Sequence, residues 1–430
     1  MPIVLQRLLL TTALVAATPA VADPILTVYP SADPKLALGQ VAFDGGKTLD
    51  LTVGIGSGAF RRADRPANQF VTVSDRGPNF TCGDAKDIIG IDGKTFCGDV
   101  KQGRIYPMPD YSPAIYRIEV GDKGFTVLEE IKLKDAGGKP LSGLPNTLTV
   151  ATTENPLDAR AQPLQRSAGS VDAEGIVELS DGSFWIGDEN APSILHVGAD
   201  GTVQKRIVPA GTEGDFAAAG YPVEGKLPAI LARRQANRGI ESMAVSADEA
   251  FLYFMMQSPL ANPDADTYAN ATNARLFKFD RAKGEVVGEY VYTMTPMAEF
   301  PGETDKKANT ARVSELVYLG TDRLLVDDRT DKTTKLFELD LSRATNILGS
   351  KWDDPATSPS LEQIALAEAG IEPVGKKLVL DSSNHPELPG KIEGVSFFGD
   401  GALMLISDDD FGIAGASTAI IRVEGLALSQ

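Results

Sequence analysis

Histidine is nearly absent from this chain of 430 residues, where His196 and His385 are the only two. Any Ser-His or Cys-His nucleophile must draw on one of them. His196 lies inside the apolar run Ser193-Ile-Leu-His-Val and reads as structural, while His385 sits in the loop sequence Asn384-His-Pro. The run Gly54-Ile-Gly-Ser-Gly58 is not a nucleophile elbow, because the glycine spacing around Ser57 is wrong. An ordinary triad hydrolase is therefore disfavoured. Cysteine is as scarce: Cys82 and Cys97 share one glycine- and aspartate-rich loop. In an exported chain such a pair is expected to form a loop-stapling disulfide. The alternative, a redox or metal pair, lacks histidine partners nearby. Basic residues are outnumbered, 41 against 59 acids, for a formal charge of −18. That balance speaks against nucleic acid or an anionic membrane as partner. A solvated acidic surface accounts for much of it; acids gathered around cations are the other reading. No apolar run beyond the N-terminus approaches membrane-spanning length.

The N-terminus itself has the features of a secretory signal over residues 1–22. Arg7 supplies the positive start, Leu8 to Ala17 the apolar stretch and Ala20-Val-Ala22 the small-residue cleavage site. No cysteine follows the cleavage site, so a lipid anchor is not expected. The mature chain, residues 23–430, is read as one domain, periplasmic or secreted and monomeric.

What is present is a repeat. Asp172-Ala-Glu174-Gly, Gly239-Ile-Glu241-Ser, Val313-Ser-Glu315-Leu and Lys391-Ile-Glu393-Gly each open an apolar run. Each is followed by a turn and a second apolar run ending in acids or an amide: Asp188-Glu189, Gln257, Asp327-Asp328 and Asp408-Asp-Asp410. Intervals of about seventy residues between short strands signal a β-propeller. The strands group as 49–55, 69–74, 114–120 and 125–133; 174–179, 183–187, 193–197 and 203–208; 240–246, 251–256, 274–280 and 286–292; 313–318, 323–327, 334–340 and 376–380; and 392–398, 402–407 and 418–424. The last group is one strand short, and an N-terminal strand between Pro24 and Phe43 is expected to complete it, leaving no open edge. The expected fold is all-β, a propeller of five or six four-stranded blades. One helix is expected, over 357–369 with Ser360 as N-cap.

In such a ring Glu174, Glu241, Glu315 and Glu393 face one another, and Ser57 stands in the corresponding place of the first blade. Four converging carboxylates cannot all stay ionised without a cation. Oxygen ligands without histidine or thiolate favour Ca²⁺ or another hard cation. The alternative is that each glutamate accepts hydrogen bonds from a neighbouring backbone and binds nothing. A second set of acids ends the second strands: Asp75, Asp188, Glu189, Asp327, Asp328, Asp408, Asp409 and Asp410. Asp75, Asp328 and Asp408 are counted as further metal ligands. Cations share the frame: Arg238, Arg312 and Lys391 before the glutamates, Arg76 and Arg329 after the aspartates. Together they suit a phosphate or carboxylate oxyanion.

The phrases Ser74-Asp-Arg-Gly-Pro-Asn79, Asp172-Ala-Glu-Gly with Asp188-Glu189, Asn237-Arg-Gly-Ile-Glu241 with Gln257-Ser-Pro-Leu260, and Lys391-Ile-Glu-Gly with Asp408-Asp-Asp-Phe-Gly412 resemble the "esterase-like activity of phytase" family. The likeness spans nearly the whole mature chain. It departs at Asp409, where the family often has asparagine. The resemblance implies a propeller with metal-assisted phosphoester chemistry. The position of the glutamates also looks like that in calcium-dependent lactonase and arylesterase propellers, an analogy of place alone.

Two functions remain open at this stage. One is a Ca²⁺-dependent hydrolase of phosphate or related esters acting on a small anionic substrate. In it Arg76, Arg238 and Lys391 bind the oxyanion, and Asp188 or Asp409 serves as base. The other is a propeller that binds a metal ion or an anionic ligand for uptake or sensing, without turnover.

Overall fold

The computed structural model describes residues 24–31, 33–149, 153–426 and 428, so the expected signal lies outside the described residues. The chain is mostly β, about 40% strand against 13% helix. Five antiparallel sheets dominate. In chain order the first is built from Gly58–Phe60, Gln69–Val73, Ala114–Gly121 and Gly124–Lys132. The second has Ala173–Glu178, Phe184–Asp188, Ser193–Val197 and Val203–Pro209, with Val223–Leu227 added in parallel at its outer edge. The third has Ile240–Val245, Phe251–Met256, Asn273–Asp280 and Glu285–Thr293. The fourth has Arg312–Gly320, Arg323–Arg329, Thr334–Asp340 and Gly375–Asp381. The fifth, Ile392–Phe397, Leu403–Ser407 and Ala419–Glu424, takes Ile25–Pro30 as its outer strand, paired from Ile25 with Glu424 to Pro30 with Ala419. The expected N-terminal completion is thus found.

Hydrophobic faces decide how the sheets meet. Val73 and Ile115 of the first sheet pack on Ile186 and Leu195 of the second. Trp185 and Val177 pack on Met243 and Phe254 of the third, and Tyr253 and Leu276 on Val326 and Phe337 of the fourth. Leu325 and Leu380 meet Val395 and Leu405 of the fifth, and Met404 and Ile420 return to Phe70 and Ile118 of the first. The first strands also touch in this cyclic order. Their approach is close enough to require missing side chains: a Cβ on Gly58 would lie 2.6 Å from the carbonyl oxygen of Glu174, and one on Gly175 would lie 2.5 Å from the amide nitrogen of Met243.

Two local expectations fail. The first strand of the first sheet is Gly58–Phe60 rather than 49–55; Thr48–Thr52 instead pairs with Ala37–Ala42 in a separate hairpin. The helix at 357–369 is absent, and only single turns form at Leu361–Gln363 and Leu366–Ala369. The Asn273 amide takes the carbonyls of Leu361 and Ile364, which a continuous helix would need. Ser360 still caps its turn, in a capping box with Gln363. Among the described residues the α-helices are Ala85–Ile89, Gly93–Cys97 and Ala265–Asn270. The first two lie within the loop closed by the Cys82–Cys97 disulfide.

Deleting residues 24–31 strips the outer strand from the fifth sheet and bares the edge of Ala419–Glu424. We expect a lower, less cooperative thermal transition and soluble aggregates on size-exclusion chromatography. An unchanged melt would show that this strand does not hold the fold together.

Candidate metal centre

The site grows out of irregular pairing between the first two strands of a sheet. The register skips between Ala173 and Ile176, Ile240 and Ser242, Val313 and Glu315, and Ile392 and Gly394. Such a bulge re-aims the extra side chain. Glu174, Glu241, Ser314 and Glu393 occupy it, and the pairing of Gly58 with Val73 puts Ser57 in the same place. Glu315, expected as the fourth member, falls one residue later. Its buried carboxylate accepts the amides of Ala59 at 2.8 Å and Leu316 at 3.0 Å, and those of Met243 and Val395 also reach it. Burial pushes its pKa up, and the four amides oppose that. Glu315 is a staple across four sheets, not a member of the acid ring.

The same register aligns the ends of the second strands. Asp75, Glu189, Gln257, Arg329 and Asp408 correspond; Asp188 and Asp328 precede this position and turn the other way. Asp188 is fully buried, bound to Arg206 at 2.6 Å and to the amide of Ala191 at 2.7 Å. Asp328 accepts from Tyr292 Oη at 2.7 Å and from the Thr295 amide and hydroxyl. Asp188 has both oxygens engaged, whereas Asp328 keeps Oδ1 unpartnered, and neither residue belongs to the acid groups that gather at the first strands.

Among the described residues, two groups have carboxylate oxygens mutually within 4.8 Å: Asp75, Asp172 and Glu174, and Glu174, Glu189 and Glu241. Neither oxygen of Asp172 accepts a hydrogen bond from a donor group, nor does Glu241 Oε2, and the buried Gln257 leaves Oε1 without a partner. Burial, followed by the neighbouring acids, lifts Asp75, Glu174 and Glu241 well above the carboxylate range. Burial pushes Asp172 up to about 6 against the pull of Arg76, and Glu189 up to about 7 against that of Arg238. The donor set is all oxygen, buried and short of positive charge, which fits a hard cation.

The cations are unevenly shared. Arg76 is buried between Glu154 at 2.8 Å and Asp172 at 3.3 Å, with Arg104 on the far side of Glu154 at 2.7 Å. It therefore orients acids rather than meeting substrate as expected. Arg238 reaches Glu189 at 3.3 Å and Tyr268 Oη at 3.2 Å. Arg329 pairs with Glu393 and with Ser314 Oγ at 2.7 Å, so Glu393 stands outside both acid groups. Lys391 binds Asp408 at 2.9 Å and Asp410 at 2.5 Å, and Arg312 binds Asp331 at 3.1 Å. Lys391 outweighs burial and holds Asp408 below its usual pKa. Asp409 accepts from Thr52 at 3.1 Å, keeps Oδ1 unpartnered, and is pushed by burial and Asp408 up to about 7. His196 stacks on Trp185, as its strand setting suggested.

Of the expected residues, the structure gathers Asp75, Glu174 and Glu241, flanked by Arg238. Lys391, Asp408, Asp409 and Glu393 form the fifth-sheet side. Sequence reasoning passed over Asp172 and Gln257 as ligands and missed Glu154. Counting strand ends in one residue frame would have found Glu189 and Gln257. Glu154 lies in a long insertion without a pattern.

An all-β chain with a carboxylate cluster where the first strands meet is the class that fold and site define. It belongs to the phytase-like family described as "Esterase-like activity of phytase", whose model matches residues 56–411. It is 27% identical over 248 residues to an uncharacterized secreted protein of Arthroderma benhamiae, covering 51% of this chain and 48% of the relative. The chain thus spans about half the length of that curated relative. Among solved structures, a luciferin-regenerating enzyme aligns with a TM-score of 0.35 at 9% identity, over 94% of this chain and 96% of its own. A protein of unknown function from Bacteroides caccae aligns at 0.29 and 8%, over 70% and 63%. At these scores neither likeness decides fold or function.

Glu315→Ala strands buried amides, each costing about 1–3 kcal/mol, so we expect a large loss of stability that added Ca²⁺ does not restore. Glu241→Gln should leave the metal-free melting temperature nearly unchanged or raise it, because it relieves repulsion. Equal losses in both variants would contradict this division of roles. The raised pKa values of Asp172 and Glu189 mean that the folded chain holds protons the unfolded chain releases. Metal-free stability should therefore fall as pH rises from about 4 to about 7. Saturating Ca²⁺ should flatten that slope in melts across the series.

Proposed function

We propose that the five sheets are blades of a five-bladed β-propeller, and that the protein is a secreted or periplasmic hydrolase of phosphate or related esters dependent on Ca²⁺ or a similar hard cation. The cyclic packing of the sheets supports the first part. The family's description supports the hydrolase, and the fungal relative described as secreted, together with the Cys82–Cys97 disulfide, supports export. The observation that carries the reading is the buried cluster Asp75, Asp172, Glu174, Glu189 and Glu241, short of cations and with unpartnered oxygens.

A bound hard cation would polarise the ester oxygen and lower the pKa of a coordinated water. The chain's own residues do the rest. Glu174, Glu189 and Glu241 would hold the cation. Arg76, fixed by Glu154, orients Asp172. Arg238, Arg312 and Lys391 remain partly exposed, with side-chain exposures of 23%, 20% and 24%. Beside the acids they pair with, Glu189, Asp331 and Asp408, they would draw in and orient a small anion. Asp409 Oδ1, with its carboxyl near neutrality, is the proton acceptor.

A second reading, capture of a cation or anion without turnover, draws support from the placement of both histidines. His196 lies on Trp185 and His385 beside Glu387, neither in the acid cluster. A panel of aryl phosphates, aryl esters and lactones, assayed with Ca²⁺ and with EDTA, separates the two. We expect EDTA-sensitive turnover of at least one class and a loss of about a hundredfold or more in kcat/KM for Glu174→Gln. Activity indifferent to EDTA and to Glu174→Gln would refute the hydrolase assigned here. Ca²⁺ binding with no turnover across the panel would establish the second reading.

A further inference from the structure

We infer that the acid cluster takes two hard divalent cations of unequal affinity, with Glu174 shared between them. This rests on the cation-binding reading above and goes beyond it in number, ligands and order of filling. Oxygens bound to one Ca²⁺ lie about 2.3–2.6 Å from it and so no more than about 5 Å from one another. The acids close into two such sets rather than one: Asp75, Asp172 and Glu174, and Glu174, Glu189 and Glu241. Glu174 belongs to both, and a carboxylate with two oxygens can serve a cation on each side.

Observations outside the carboxylate spacing point to ligands on both sides. Gln257 is 3% exposed, corresponds in register to Glu189, and leaves Oε1 without a hydrogen bond. A neutral oxygen buried beside Glu241 is a wasted acceptor unless something positive sits there. Asp172, 2% exposed, likewise receives no hydrogen bond from an N–H or hydroxyl group at either oxygen, and meets only the carboxyl of Asp75. Its nearest cation, Arg76 at 3.3 Å, is already engaged by Glu154.

The two halves differ in the positive charge they already hold. Arg76 is buried against the Asp75–Asp172 side, whereas Arg238, on the other, is partly exposed to solvent. The Glu174–Glu189–Glu241 set, with Gln257 as a further oxygen, therefore fills first, and the Asp75–Asp172–Glu174 set fills second and more weakly. The competing arrangement is one cation, with Asp75 and Asp172 sharing a proton.

Titrating the full-length, chelator-treated protein with Ca²⁺ alone by isothermal calorimetry tests this, with equilibrium dialysis for stoichiometry. We expect two ions per chain, one tight and one weaker. Asp75→Asn should abolish the weaker and leave the tight one within about twofold. Gln257→Leu should weaken the tight one about tenfold, and Glu174→Gln should weaken both by at least that factor. Asp172→Asn serves in place of Asp75→Asn should that variant not fold, as judged by its melt. A single ion per chain, or two ions surviving in both Asp75→Asn and Asp172→Asn, overturns the two-cation inference while leaving a one-cation hydrolase intact. No binding at all overturns the cation reading itself.

Discussion

One carboxylate organises the middle of this protein. Glu315 accepts amides from the first strands of the first, third and fifth sheets as well as its own. Strand edges facing one another across a shared centre carry N–H groups that no ladder can satisfy. A single side chain that collects four of them removes that cost and fixes the distance between sheets. The glycines at 58 and 175 follow from the same constraint, since the strands drawn together leave no room for a Cβ. A bulge recurs at the same place in four sheets: it re-aims Glu174, Glu241 and Glu393, and in the fourth sheet it holds Ser314, which leaves Glu315 one residue later on the opposite face. Fold and site are thus products of one irregularity, repeated.

The repetition is not symmetric, and the asymmetry has chemical content. At the position where other sheets carry Asp75, Glu189, Gln257 and Asp408, the fourth carries Arg329, whose guanidinium joins Glu393 to Ser314. With Lys391 and Arg312 it gives the fourth and fifth sheets an internal supply of positive charge. On the side of the first three sheets the nearest guanidiniums are Arg76, already engaged by Glu154, and Arg238, at 3.3 Å from Glu189. A symmetric ring of acids would spread its demand for a cation over the whole centre. This one confines the demand to the side of Asp75, Asp172, Glu174, Glu189 and Glu241.

The sheet repeat was legible because each unit buries both faces and ends in the same residue types. The N-terminal strand was legible from simple shortage, one group having three strands where the others had four. The start of the first sheet was not: in Gly54-Ile-Gly-Ser-Gly58 glycines replace the side chains whose alternation marks a strand. The segment 357–369 has helical composition, but Asn273, nearly ninety residues away, competes for its carbonyls. The site was legible to within one residue. Glu315 looked like its relatives because Val-Ser-Glu and Ile-Glu-Gly differ by a single step, and in a strand one step is the opposite face. Asp188 and Asp328 misled in the same way. Arg206, which neutralises Asp188, lies on another strand and carries no mark of that role in sequence.

The pairing of Ile25–Pro30 with Ala419–Glu424 has a consequence in time. Ile25–Pro30 is made long before its partner Ala419–Glu424, with the other four sheets synthesised in between. At roughly 5–20 residues per second, the wait is about 20 to 80 seconds. Until then the fifth sheet has an open edge, and its packing against the first sheet is incomplete. The fifth sheet therefore reaches its final form only after the other four sheets have been made.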